Sequence, residues 1–126
     1  MIYGIGVDMV KIERIEDGIV RFGDRLARKI LNETEYSHYD AQSRPARFLA
    51  KRFAAKEAVV KALGTGFIRN ISPREISIIN DDLGKPNLFH SDKTRALFER
   101  NKITSCHISI TDEEDYALAY VLLESS

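Results

Sequence analysis

The chain is 126 residues long and carries 19 basic and 19 acidic side chains, so its formal net charge at pH 7 is zero. It has no apolar run near the roughly 18 residues of a membrane span, no basic leader before an apolar block, and a single cysteine, Cys106. These absences argue against a membrane protein, a secreted precursor and a disulfide scaffold. The expectation is one domain over residues 1–126 in a reducing cytoplasm, long enough to bury roughly two-thirds of its unfolded surface.

In chain order, MIYGIGVD reads as a buried strand ending at Asp8. Residues 11–31 alternate apolar and charged positions at helical spacing, with Gly23 and Asp24 marking a break and an N-cap between two short helices. NETEYSHYD starts a further short helix. Pro45 suits the first turn of a long helix that runs to Leu63, with Gly64 as its stop. EISIIND and PNLFH are strands around the turn DLGKP, and Ser91 or Asp92 caps a helix through Arg100. TSCHISIT and YALAYVLLE close the chain as two more strands, with Cys106 a small buried side chain in the first of them. Strands and helices do not alternate regularly. The fold class is therefore α+β, a largely antiparallel sheet packed with one long and several short helices.

Charge is distributed unevenly along this order. Between Ala41 and Arg74 stand Arg44, Arg47, Lys51, Arg52, Lys56, Lys61, Arg69 and Arg74, with Glu57 the only acid, whereas TDEED at 111–115 holds four acids and no base. The basic segment suits a phosphate-bearing ligand or an acidic protein, or is simply a solvated face. On a wheel turning about 100° per residue, Phe48, Arg52, Val59 and Leu63 share one stripe with Lys56 at its edge, and Phe53, Glu57 and Lys61 form a second row. Charges in an apolar stripe either snorkel to water or line a polar cleft.

Beyond that helix, GTGFIRN permits close backbone approach at Gly64 and Gly66, with the Thr65 hydroxyl between them and Arg69 following. The order of strand, glycine loop and Lys-Thr that makes a P-loop is absent. GIGVDM resembles a dinucleotide fingerprint only in part, because Met9 stands where the third glycine belongs. Asp8, at a strand end, and Glu57 offer two hard oxygen ligands, and Mg²⁺ takes one or two carboxylates and completes its shell with water and substrate phosphates. His107 lies in the strand HISIT, either as a structural side chain or as a phosphate-contacting group at a cleft or subunit edge.

GIGVDMVKIERI, RFLAKRFAAKEAVVKALGTG, GKP at 84–86 and HISITDEEDYALAYV span nearly the whole chain in order. Together they resemble the holo-acyl-carrier-protein synthase family, the small bacterial 4′-phosphopantetheinyl transferases. Asp112 stands about where members of that family often carry a second histidine. The resemblance implies the phosphopantetheinyl transferase fold and transfer of the 4′-phosphopantetheine arm of coenzyme A to a serine of apo acyl carrier protein. Adenosine 3′,5′-bisphosphate is released, and the reaction serves fatty acid biosynthesis. It also implies a Mg²⁺-dependent homotrimer with active sites between subunits. Carried over by position, Asp8 and Glu57 match the metal ligands. Arg52, Lys56, Lys61, Gly64 and Thr65 match positions lining the coenzyme A cleft, His107 comes from a neighbouring chain, and Lys85 and Pro86 fall in a loop near the nucleotide. The first helical region, with Arg14, Arg21 and Arg25, is implied to dock the acidic helix of the carrier protein.

Such a transfer needs positioning and charge stabilisation more than covalent help from the protein. Lys61 would offset charge on the leaving group. Glu57, directly or through a metal-bound water, is the preferred acceptor of the serine proton, with Asp8 and His107 as alternatives. A nucleotide- or carrier-binding module without catalysis would keep the basic face but would not need both Asp8 and Glu57. A metal-dependent nuclease would carry an acid-x-lysine pair on one strand, which is missing, so no nucleic-acid partner is expected.

Overall fold

Strand β1 (Ile2–Lys11) opens the fold. Its alternation turns Gly4, Gly6, Asp8 and Val10 to one face and Ile5, Val7 and Met9 to the other. The computed structural model describes residues 1–67 and 71–126. After β1 come α1 (Ile12–Phe22), α2 (Asp24–Ile30), α3 (Glu33–Asp40) and the long α4 (Pro45–Leu63). A single 3₁₀ turn at Pro73–Glu75 leads into β2 (Ile76–Asn80) and β3 (Pro86–His90), followed by α5 (Asp92–Arg100), β4 (Ile103–Asp112) and β5 (Tyr116–Ser125).

The strands form two antiparallel sheets, β1-β5-β4 and the hairpin β2-β3. The α+β expectation holds, although the strands divide between two sheets. In the larger sheet Asp8 lies opposite Ala119, and His107 opposite Leu122. Helix α4 lies over the face that carries Gly4 and Gly6, and the fit depends on small residues. A Cβ on Gly4 would overlap the Ala62 carbonyl oxygen, and one on Gly6 the Ala58 carbonyl oxygen. The first two glycines of the sequence therefore serve helix–strand approach. Ala54, Ala58, Val59 and Ala62 of α4 and Ala117, Ala119, Val121 and Leu123 of β5 are buried in the resulting core.

Local signals explain most element ends. Pro45 opens α4, and Gly64 closes it in the left-handed region at φ 83°, its N–H bonded to the Val60 and Lys61 carbonyls. Asn32 caps α3 in a reciprocal box: its side chain accepts from the Glu35 N–H, and the Glu35 carboxylate accepts from the Asn32 N–H. Ser91 caps α5. At the α1–α2 break Gly23, at φ 60°, is the N-cap, so Asp24 is the first residue of α2 rather than its cap. Strand β1 runs to Lys11, beyond the expected end at Asp8, because β5 continues to supply pairing partners down to Tyr116. Cys106 is partly buried in β4, and burial pushes its thiol up to about 12.

Candidate active site

Asp8 and Glu57 are brought together by the packing of β1 on α4. Asp8 projects from the helix-facing side of β1, and the Lys61 ammonium donates to its Oδ1 at 2.9 Å and to the Val7 carbonyl at 3.0 Å. Glu57 lies one turn back along the same helix and is half-buried. Its carboxyl is held above the usual carboxylate range, first by burial and then by the negative charge of Asp8, with Lys61 acting in the opposite direction. That mutual influence places the two acids in one electrostatic neighbourhood. Two carboxylates, one carrying a cation already, make a site that favours positive charge.

Lys61 is exposed over half its side chain, 51%, whereas that of Asp8 is 17% exposed, so the lysine can leave the acid for another anion. The turn that follows keeps the same neighbourhood open: Gly64 and Gly66 have positive φ, and the Thr65 hydroxyl donates to the Gly66 carbonyl. Arg69, counted in the basic segment, lies outside the described residues.

Lys56 requires a correction. The resemblance implies that it lines a coenzyme A cleft, but its side chain is fully buried and points away from the acid pair. Its ammonium donates to Glu35 Oε1 at 2.6 Å, to the Ile30 carbonyl at 2.6 Å and to the Pro73 carbonyl at 2.9 Å. An ammonium has three protons; all are used, and none is left for a phosphate. Burial outweighs the Glu35 charge and lowers its pKa to about 8. Glu35 carried no sequence signal as the mate of Lys56, which lies 21 positions away.

Arg52 is also buried, at 6% exposure, with its guanidinium over the Phe48 ring at 4.6 Å. Its Nε has no partner among the described residues. It lines a polar cavity of about 110 Å³ together with Lys51, Asn80, Gly84, Pro86 and Asp112. The cavity unites two predicted positions, Arg52 and Pro86, and adds Lys51 and Asn80. The basic run contained Lys51, whereas Asn80 carries no sequence signal. Lys85 is exposed on the turn between β2 and β3, where its N–H and that of Leu83 donate to Asp81 Oδ1. Asp112 accepts from Arg47 at 2.8 Å and lies 3.9 Å from Lys51, while Arg47 also donates to the Glu113 and Glu114 carbonyls. Part of the charge asymmetry is therefore spent inside the molecule, docking the acidic β4–β5 turn onto α4.

His107 is not beside Asp8 and Glu57. It projects from the sheet face opposite α4, with 57% of its side chain exposed and Nε2 at 2.6 Å from Glu124 Oε1. That face is apolar and uncovered: Ile5 is 59%, Val7 52% and Met9 60% exposed, with Tyr120 nearby on β5. Arg14 and Arg21 are exposed on α1, two turns apart, with Arg21 stacked on Phe22 at 5.3 Å. Arg25 is exposed on α2, beyond the Gly23 break, so the three arginines are not one face of one helix.

Among the described residues no helix is long and apolar enough to cross a membrane, and no group of three or more His, Cys, Asp or Glu could hold a metal ion. The 4′-phosphopantetheinyl transferase superfamily matches residues 4–121. Holo-[acyl-carrier-protein] synthase of Hamiltonella defensa is 49% identical over 98% of each chain, and that of Cronobacter sakazakii 47% over the same shares. The crystal structure of the Neisseria meningitidis holo-[acyl-carrier-protein] synthase superposes with TM-score 0.95 at 42% identity, covering 99% of this chain and 100% of that one. The Bacillus anthracis synthase, solved in complex with CoA (3′,5′-ADP), superposes at TM-score 0.83 and 39% identity, covering 100% of this chain and 99% of the other.

Proposed function

This chain belongs to the 4′-phosphopantetheinyl transferase superfamily, and from that premise we propose that it is a holo-acyl-carrier-protein synthase. It transfers the 4′-phosphopantetheine arm of coenzyme A to a serine of apo acyl carrier protein and releases adenosine 3′,5′-bisphosphate, in the cytoplasm and in support of fatty acid biosynthesis. The observation that carries the reading is the convergence of Asp8, Glu57 and Lys61 where β1 meets α4.

The reaction forms a bond from the serine oxygen to the phosphorus of the phosphopantetheine arm and breaks the diphosphate P–O bond to the nucleotide. The serine proton goes to Glu57, directly or through a water, its carboxyl being held above the usual carboxylate range by burial and by the charge of Asp8. Lys61, freed from Asp8, meets the charge that collects on the departing nucleotide phosphate. Thr65 and the glycines on either side of it bring backbone and hydroxyl up to the diphosphate. Arg52, with its unpartnered buried Nε, and the loop at Lys85 and Pro86 receive the nucleotide end.

Asp8 and Glu57 fit a Mg²⁺ ion. They supply two hard oxygen donors, and Asp8 already binds a cationic group. Mg²⁺ ordinarily takes one or two carboxylates and fills its remaining positions with water and phosphate. When bound there it supplies Lewis-acid neutralisation of the diphosphate charge.

We further read the assembly as a homotrimer with sites between subunits. The uncovered apolar face of β1 and β5 needs a partner surface. His107 on that face lies too far round the sheet to serve the acids of its own subunit, which suits a role at a neighbour's site. Arg14, Arg21 and Arg25 offer an exposed cationic surface to the acidic helix of the carrier protein.

The test is a transfer assay read by mass. Apo carrier protein incubated with coenzyme A, Mg²⁺ and the parent chain gains a phosphopantetheine increment, and with Glu57→Gln the rate falls by about 10²-fold or more. Full activity in a folded Glu57→Gln variant defeats the assignment.

A further inference from the structure

The pair His107–Glu124 lies on an open sheet face, where a bond between two half-exposed groups contributes little to stability. Its geometry is nevertheless specific. Glu124 stands on β5 two positions beyond Leu122, the cross-strand partner of His107, so the two side chains meet diagonally. Oε1 of Glu124 lies 2.6 Å from Nε2 of His107, and the same oxygen accepts the Ser105 hydroxyl at 3.4 Å. The hydrogen bond holds the Glu124 carboxyl below the usual carboxylate range, so it remains an acceptor at neutral pH.

We propose that Glu124 is the positioning residue of His107: by accepting the Nε2–H it fixes the ring's orientation and leaves Nδ1 as the edge presented to a phosphate of the coenzyme A bound at the neighbouring subunit. The inference rests on the reading that His107 serves a neighbour's site. A ring that gives one N–H to Glu124 and the other to a phosphate oxygen is an imidazolium, and the Glu124 carboxylate balances its charge. Without Glu124 the imidazole can rotate about both side-chain bonds and exchange its two nitrogens. The phosphate contact is then made only in a fraction of orientations. A carboxylate behind a functional histidine is a recurring device, and behind metal-ligating histidines loss of such an outer partner typically costs about 10- to 100-fold.

The experiment is a double-mutant cycle in the transfer assay, using His107→Ala, Glu124→Ala and the two combined. His107→Ala is expected to raise the KM for coenzyme A about tenfold or more with a smaller change in kcat. Glu124→Ala should do the same to a lesser extent, and the double variant should be no worse than His107→Ala alone, because Glu124 acts only through the ring. Glu124→Gln, which keeps an acceptor oxygen, should recover part of the loss. The ¹⁵N spectrum of His107 should show a fixed Nε2–H in the parent and exchange between nitrogens in Glu124→Ala. Losses that add in the double variant overturn the inference, as does a harmless Glu124→Ala beside a damaging His107→Ala. A harmless His107→Ala removes the premise itself and is thereby distinguished from failure of the positioning role. Both side chains are about half-exposed in the single chain, and equal solution mass and melting temperature of the variants establish that neither folding nor assembly is what changes.

Discussion

Replacing Lys56 by Met separates a buried anchor from a phosphate ligand. The ammonium that is lost donates to Glu35, Ile30 and Pro73, and so ties α4 to the end of α2, to α3 and to the turn before β2. Met fills similar space but leaves the Glu35 carboxylate buried, with the Asn32 and Ile78 N–H groups as its remaining donors among the described residues. Breaking one side of a buried pair costs about 3–5 kcal/mol, chiefly through the uncompensated charge. At about 2.1 cal/mol/K per residue, a chain of 126 residues has an unfolding entropy near 0.26 kcal/mol/K, so a loss of about 4 kcal/mol lowers Tm by about 15 °C. Thermal and urea unfolding at one protein concentration read this directly, the fixed concentration being needed because assembly contributes to apparent stability. Adding Glu35→Leu should return part of the loss, since the stranded charge goes, but not all of it, since the Asn32 and Ile78 N–H groups then lose their acceptor. A Tm within about 3 °C of the parent, together with a higher KM for coenzyme A, refutes the reasoning and returns Lys56 to the ligand cleft.

Two further outcomes concern partners. Arg14→Glu should raise the KM for acyl carrier protein about tenfold while leaving that for coenzyme A unchanged, and the difference should shrink in high salt, because complementary surface charge acts mainly on encounter; equal losses for both substrates remove the docking surface from α1. Ile5→Asp places a charge in the middle of the uncovered face, a burial costing several kcal/mol once a partner covers it; the solution mass should fall to that of one chain with secondary structure retained, and an unchanged mass excludes this face as the interface.

The elements were more legible than their assembly. Pro45, Gly64 and Ser91 act within a few residues of themselves, so these starts and stops could be read from local chemistry. The length of β1 could not be, since its last three residues are strand only because β5 pairs with them. The acid pair could be proposed because each member had local support, one at a strand end and one in a helical row with Lys61. Lys56 was not legible: its place at the edge of the apolar stripe left snorkelling and a polar cleft both open and the resemblance implied the cleft, whereas its partner comes from a distant capping motif. Arg47 and Asp112 show the same limit, as one member of the basic run pairs with one member of the acidic run at the β4–β5 turn. His107 was readable as a strand histidine, but which face it takes depends on a register set by β5.

What brings Asp8 to Glu57 is the absence of a side chain one pleat away, and Gly6→Ala tests that link. A Cβ at this position would overlap the Ala58 carbonyl oxygen and lie 2.8 Å from the Ala62 nitrogen. Both are backbone atoms inside a helix, so no rotamer change can relieve the clash and α4 must move off β1. Overpacking of this kind costs about 1–3 kcal/mol. The larger effect should be on turnover, because a displacement of about 1 Å between catalytic groups can cost 10²-fold. Gly18→Ala is the control, since the added carbon meets only the flexible tip of Leu26, and alanine is the better helix former by roughly 0.5–1 kcal/mol. The expected pattern is a modest drop in Tm with a disproportionate loss of transfer for Gly6→Ala, and neither for Gly18→Ala. If Gly6→Ala keeps both the parent melting temperature and full transfer, helix and strand do not meet as closely as described, and the shared neighbourhood of the two carboxylates loses its structural cause.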